Sequence, residues 1–197
     1  ARRGYTVMSC DWRGHGARKG RCTYGRDEVP DLIAILEWAR AQPQWASLPV
    51  GAIGWSFGGA IACQLAACRS DLRALITDST YARLFPLVAN LIRREYHAPS
   101  VPFAYLTWGG SQAILRYRLD RVEPVVLAAR LRQPLFAIHG TADLTVPPAH
   151  LQTLYAAWAG PKRQWVVPGA GHVGSFEAQP ESYGDRVAEF CDQSMVS

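Results

Sequence analysis

The residues best suited to chemistry lie in Gly54-Trp55-Ser56-Phe57-Gly58-Gly59, a serine flanked by glycines at G-x-S-x-G spacing. The apolar run 50–54 before it reads as a short strand, and the small, apolar stretch 59–67 after it has high helix propensity. Ser56 is therefore predicted on a sharp strand-to-helix turn, the setting of an exposed nucleophile. Bulky side chains two residues to either side would crowd such a turn, so glycine is expected to relieve it at both Gly54 and Gly58. Gly59 is expected to let the following helix start close to the sheet. The N–H of Phe57, at the start of that helix, would face a developing oxyanion.

A serine hydroxyl is a poor nucleophile at neutral pH, so it needs an imidazole to take its proton and a fixed carboxylate behind the imidazolium. Both follow at later strand ends. The stretch His139-Gly140-Thr141-Ala142-Asp143-Leu144-Thr145-Val146-Pro147 places Asp143 in a loop beyond a buried strand, and Gly169-Ala170-Gly171-His172 places His172 beyond the next one. Asp143 is preferred over Asp78, which also follows a strand, because Ser, Asp, His in this chain order with a late acid is the commoner template.

These residues must be brought together by the elements that carry them. Residues 5–10 (Y-T-V-M-S-C) read as a strand ending in a Gly/Arg-rich loop. From Asp27, a cap, Val29, Leu32, Ile33 and Leu36 recur at helical spacing, and the helix should end near Arg40. Further strands are expected at 75–77, 135–139 and 164–167, and helices at 149–157 and 183–191. Strands apolar throughout and alternating with helices imply an α/β fold, a parallel sheet with helices on both faces. Its strands all end on one edge, where Ser56, Asp143 and His172 would meet. The aromatic-rich stretch 79–132 is too long for a simple crossover and reads as an inserted helical lid within one domain spanning residues 1–197. Its aromatics are expected to form the lid's own core.

With these motifs in view, the chain resembles the α/β-hydrolase-fold serine hydrolases over nearly its whole length. Asp11-Trp12-Arg13-Gly14-His15-Gly16 is similar to the family's D-x-R-G-x-G loop after its fourth strand, and the elbow and acid loop are closest to esterases and peptidase-like members. The resemblance implies acyl transfer to water without metal or organic cofactor. An ester, thioester or lipid acyl substrate is the first reading. A peptidase of the prolyl-oligopeptidase kind and a non-catalytic binding protein of the same fold are the alternatives. Ser56 stands where the dehalogenase branch needs a carboxylate.

The resemblance also implies that the family's first three strands, with the loop giving the second oxyanion donor, precede Ala1. The third strand lies in the family's sheet between the fourth and fifth, here residues 5–10 and 50–54. Those two should either stand about 10 Å apart or collapse together. The chain thus reads as a fragment, expected to aggregate or to have little activity alone.

Other candidates are set aside on local grounds. His15 reads as a turn-shaping partner, His139 as a satisfied, partly buried imidazole, His97 and His150 as surface residues, and Asp11 as a tie within its own loop. Five scattered cysteines without C-x-x-C spacing give neither a disulfide framework nor a zinc site and favour a reducing compartment, the cytoplasm. Cys63 and Cys68 are expected to be buried thiols.

The composition, 49% apolar over 197 residues, suits a folded domain, and no apolar run reaches the roughly 20 residues needed to span a membrane. The net charge of +5 is uneven, with seven Arg or Lys against one acid in residues 1–26 and eight Arg against three acids in residues 79–132. No nucleic-acid module accompanies it. Both basic segments should leave the carboxyl edge of the sheet, which suggests a basic active-site mouth and an anionic acyl substrate. Oligomeric state leaves no mark in the sequence.

Overall fold

The structure, a computed structural model, describes residues 4–195. They form two compact units, Ala1–Leu48 and Pro49–Ser197.

In the first unit the predicted helix is present as α1, Glu28–Arg40. Asp27 occupies the N-cap position but makes no capping bond through its side chain. The buried Glu28 carboxylate instead accepts bonds from the Thr23 N–H (2.7 Å), the Thr23 hydroxyl (2.7 Å) and the Gly25 N–H (2.7 Å), folding the preceding turn onto the helix start. Asp11 ties down its own loop, its Oδ2 accepting the Ala17 N–H at 2.9 Å. The predicted strand at 5–10 does not form. Val7 and Met8 are exposed, and β-prone side chains alone do not hold a strand that has no ladder to join. Neither expected arrangement, two strands flanking a gap or two strands collapsed together, is therefore realised.

The second unit is a parallel four-stranded sheet in the order β1-β2-β3-β4, comprising Val50–Trp55, Leu72–Asp78, Leu135–Gly140 and Lys162–Val167. Each strand encloses or extends its predicted run by a few residues, because polar or glycine positions at the ends still pair with neighbours. The sheet core is apolar, with Leu75, Leu135, Phe136, Ile138 and Val167 fully buried. Helix α2 (Phe57–Cys68) covers β1 and β2 from one face, and its residues Gly59 to Ala66 are buried. On the other face α8 (Pro180–Met195) packs on the same strands, and its Phe190 reaches Phe136 of β3 at a centroid distance of 5.5 Å. Helix α6 (Ala149–Ala157) matches its predicted span and lies on β3, and the short α7 (Ser175–Ala178) precedes α8.

Residues 79–132 carry helices: α3 (Leu84–Glu95), α4 (Ser100–Leu115), a 3₁₀ turn (Leu119–Arg121) and α5 (Pro124–Ala128). Phe85 packs on Trp108 and Tyr105, joining α3 to α4. Tyr96, Phe103 and Tyr105 are nevertheless exposed, so the aromatics of this segment pack together only in part. Asn90 of α3 donates to the carbonyls of Leu144 (3.0 Å) and Thr145 (3.1 Å), and Arg94 to the Thr145 hydroxyl (3.2 Å).

Candidate active site

The nucleophile turn is built by crowding that only glycine tolerates at two positions, Gly54 and Gly59. Ser56 joins β1 to α2 with φ 51° and ψ −117°, a left-handed conformation that costs a non-glycine residue of order 1–3 kcal/mol. A Cβ on Gly54 would strike the Gly58 carbonyl, and one on Gly59 would strike the Thr80 hydroxyl just beyond β2. Gly58 differs from expectation. A Cβ there would meet open space, so the crowding falls on Gly54 and Gly59 and spares Gly58. The Ser56 N–H donates to the Asp78 carbonyl at 2.8 Å, which fixes the turn to the end of β2. Phe57 is the first residue of α2.

The three residues singled out from the sequence come together. His172 Nε2 lies 2.9 Å from Ser56 Oγ, and its Nδ1 lies 2.8 Å from Asp143 Oδ2. With Nδ1 protonated toward the carboxylate, Nε2 presents its lone pair to the serine hydroxyl. Asp143 is buried, and its other oxygen accepts the N–H groups of Thr145 (3.0 Å) and Val146 (2.8 Å). Burial alone would raise its pKa, but the His172 and Val146 bonds outweigh it and hold the carboxyl below the usual range. Ser56 and His172 are only partly buried, so the reacting atoms stay accessible.

Asp78 does not compete for the imidazole. Its carboxylate is buried among the hydroxyls of Ser79, Ser175 and Tyr183. His139 is buried and bonds the Val146 carbonyl at 2.8 Å, a satisfied core histidine as expected. His15 is exposed and bonds the Arg13 carbonyl at 3.1 Å, and His97 is exposed. His150, expected at the surface, is buried. Its Nδ1 accepts the Ala82 N–H at 3.1 Å, and burial holds its pKa down.

Of the two helical cysteines only Cys63 is buried, with its thiol pushed up to about 12, whereas Cys68 is exposed because α2 turns it outward at its last residue. No disulfide links the five cysteines. Among the described residues no cluster of His, Cys, Asp or Glu could hold a metal, and no helix is long and apolar enough to cross a membrane.

A nucleophile on a strand-to-helix elbow, an acid and a histidine on later loops, and a parallel sheet wrapped by helices define an α/β-hydrolase fold. Comparisons with known proteins agree. A profile of X-Pro dipeptidyl-peptidases (S15 family) matches residues 1–90. YqkD of Bacillus subtilis (strain 168) is 27% identical over 192 residues, covering 96% of this chain and 63% of that protein. Rv2307c of Mycobacterium tuberculosis is 31% identical over 169 residues, covering 86% and 53%. Neither name carries a function. The α/β hydrolase domain-containing protein WAV2 of Arabidopsis thaliana is 24% identical over 196 residues, covering 95% of this chain and 60% of that protein. The chain thus spans between about half and two thirds of the length of these relatives.

Among solved structures, the Pyrococcus furiosus esterase Pf2001 superposes with a TM-score of 0.77 at 25% identity, covering 98% of this chain and 72% of that one. Acetyl xylan esterase 1 from Thermoanaerobacterium shares the fold, with a TM-score of 0.63 at 18% identity, covering 95% and 62%. The chain has the α/β-hydrolase fold.

Proposed function

We propose that this chain carries the catalytic machinery of a serine esterase that cleaves a carboxylic ester, thioester or lipid acyl group through an acyl-enzyme. The observation that carries the reading is the unbroken relay from Asp143 through His172 to Ser56, at 2.8 and 2.9 Å. In it the Ser56 hydroxyl attacks the acyl carbon while His172 Nε2 takes its proton. Asp143, held in its ionised form, stabilises the imidazolium. The carbonyl oxygen becomes an oxyanion facing the start of α2, where the Phe57 N–H is the assigned donor. His172 then gives the proton to the departing alcohol or thiol, and in the second half it takes one from the attacking water and returns it to Ser56 Oγ as the acid leaves.

The expected basic mouth receives less support. Arg13 and Arg18 pair with Asp31, Arg26 with Asp27, Arg83 with Glu123, Arg94 with Glu95 and Arg118 with Asp120, which offsets much of the positive charge. An anionic acyl substrate is therefore a secondary expectation.

Peptide hydrolysis is the second reading, favoured by the X-Pro dipeptidyl-peptidase profile, whose match includes Ser56. A fluorophosphonate that labels the wild type but not Ser56→Ala would establish the nucleophile. A panel of short-chain, long-chain and thioester substrates beside X-Pro anilides would then rank the readings. Absence of labelling would leave the fold as a binding scaffold and end both.

A further inference from the structure

We infer that Asp78 is a positioning residue for His172, its buried carboxylate setting, through the Ser79 and Ser175 hydroxyls, the backbone that presents the imidazole to Ser56. The inference rests on the reading of Ser56 and His172 as nucleophile and base.

Asp78 ends β2 in register with Trp55, the residue before Ser56, and is 0% exposed. Among the described residues it forms no ion pair with Lys or Arg. Its neighbours are hydroxyls: Ser79 Oγ donates to Oδ1 at 3.2 Å, Ser175 Oγ donates to Oδ1 at 3.0 Å, and the Tyr183 hydroxyl stands alongside. Burial holds this carboxyl above its usual range, with the hydroxyls of Ser175, Tyr183 and Ser79 opposing it, and Oδ2 has no hydrogen-bond partner.

Oδ1 of this carboxyl accepts the protons of both serines, which sets the direction of the hydroxyls around it. The Ser79 proton must point at Asp78, which leaves the Ser79 oxygen free to accept the Val173 N–H at 3.0 Å. Val173 directly follows His172 and is a β-branched residue at φ 58°, a conformation that such residues adopt only under constraint. Ser79, the intermediary, is itself at φ 54°. Ser175 holds the same loop from the far side, at the start of α7.

The same residue also holds the nucleophile, by its main chain. The Asp78 carbonyl accepts the Ser56 N–H, and the Tyr183 hydroxyl accepts the Trp55 indole N–H at 3.1 Å. Three left-handed non-glycine residues, Ser56, Ser79 and Val173, thus converge on one buried acid. Strain kept at a site has to be over-determined by its surroundings, and Asp78 is the shared element. It is not the triad acid, because His172 Nδ1 is engaged by Asp143.

The test uses the intact protein with Asp78→Asn, Ser79→Ala and the double variant. The kcat on an activated ester is expressed per site titrated by fluorophosphonate, so that loss of folded protein drops out. Each single change is expected to lower kcat on the order of tenfold with KM within about twofold, since a misplaced base costs turnover rather than binding. The double variant should be no worse than the worse single one, because both act on one path. The His172 Nδ1 proton resonance, assigned by its loss in His172→Ala, should shift or broaden in Asp78→Asn, and this readout does not require turnover.

Unchanged kcat per titrated site, effects that multiply in the double variant, or an unmoved resonance would each overturn the inference. Failure of the wild type to label would refute the proposed function instead, and the resonance would still decide the role of Asp78. If Asp78→Asn does not fold, Ser79→Ala and Ser175→Ala carry the same measurements.

Discussion

Replacing Asp143 by Asn should nearly silence the enzyme while leaving it folded, and the hydrogen bonds around Asp143 say why. Oδ1 accepts two backbone N–H groups and Oδ2 accepts the imidazole N–H. The Asn amide can place its oxygen toward the backbone donors or toward His172, not both. Turning its NH₂ toward Thr145 and Val146 would set donors against donors and forfeit two bonds worth about 1 kcal/mol each, besides leaving buried N–H groups unpaired. The favoured orientation keeps those two bonds and points the NH₂ at His172 Nδ1. The imidazole must then carry its proton on Nε2, facing Ser56, and can no longer accept the serine proton. A wrong tautomer of this kind costs about 10⁴ in kcat, or roughly 5 kcal/mol of barrier. The assay is kcat and KM on an activated ester at neutral pH, normalised by circular dichroism and thermal melting. Near-wild-type turnover in Asp143→Asn, with Asp78→Asn down by more than about 10³, would refute this assignment and the positioning role of Asp78 together.

The remaining expectations are simpler. Ser56→Ala and His172→Ala should each lower kcat by several orders of magnitude, up to about 10⁶, with little change in melting temperature. Gly54→Ala should destabilise the elbow because its Cβ meets the Gly58 carbonyl, whereas Gly58→Ala, facing open space inside a helix, should fold normally or gain up to about 1 kcal/mol in a denaturant titration. Because the Asp143 pKa is depressed on folding, its contribution to stability is present above the ordinary carboxylate range and is lost as pH falls through the folded value. Urea midpoints of the wild type should therefore drop more steeply than those of Asp143→Asn only in the acid range, from the ordinary carboxylate value of 3.8 downward. Matched neutral and anionic esters compared at low and high salt will show whether the unevenly placed arginines favour anions. Equal kcat/KM at both salts would remove that idea.

The site was legible because its residues sit at strand ends, where the pattern changes abruptly from apolar to glycine and polar. Thus 135–139 announces both β3 and the acid loop, and 164–167 both β4 and the histidine loop. What could not be read depends on partners far away in the chain. His150 is buried because Ala82, distant in sequence, offers it an N–H, and nothing around residue 150 announces that donor. Residues 5–10 have strand composition, but a strand also needs a neighbour to pair with. Ser79 and Ser175 are unremarkable as letters and gain meaning only from sharing the Asp78 carboxylate. Gly58 follows the elbow pattern, yet which of the elbow's glycines are crowded is set by how α2 leaves the turn.

The bonds from α3 to the loop around residue 144 tie a helix of the 79–132 segment to the loop that carries Asp143. Asn90 and Arg94 grip the main chain and hydroxyl of residues immediately after Asp143. Swinging α3 outward would drag on the very loop that orients the imidazole. On this geometry α3 is a strut for the loop that carries the acid, and a change at Asn90 would reach His172 through the main chain of Leu144 and Thr145.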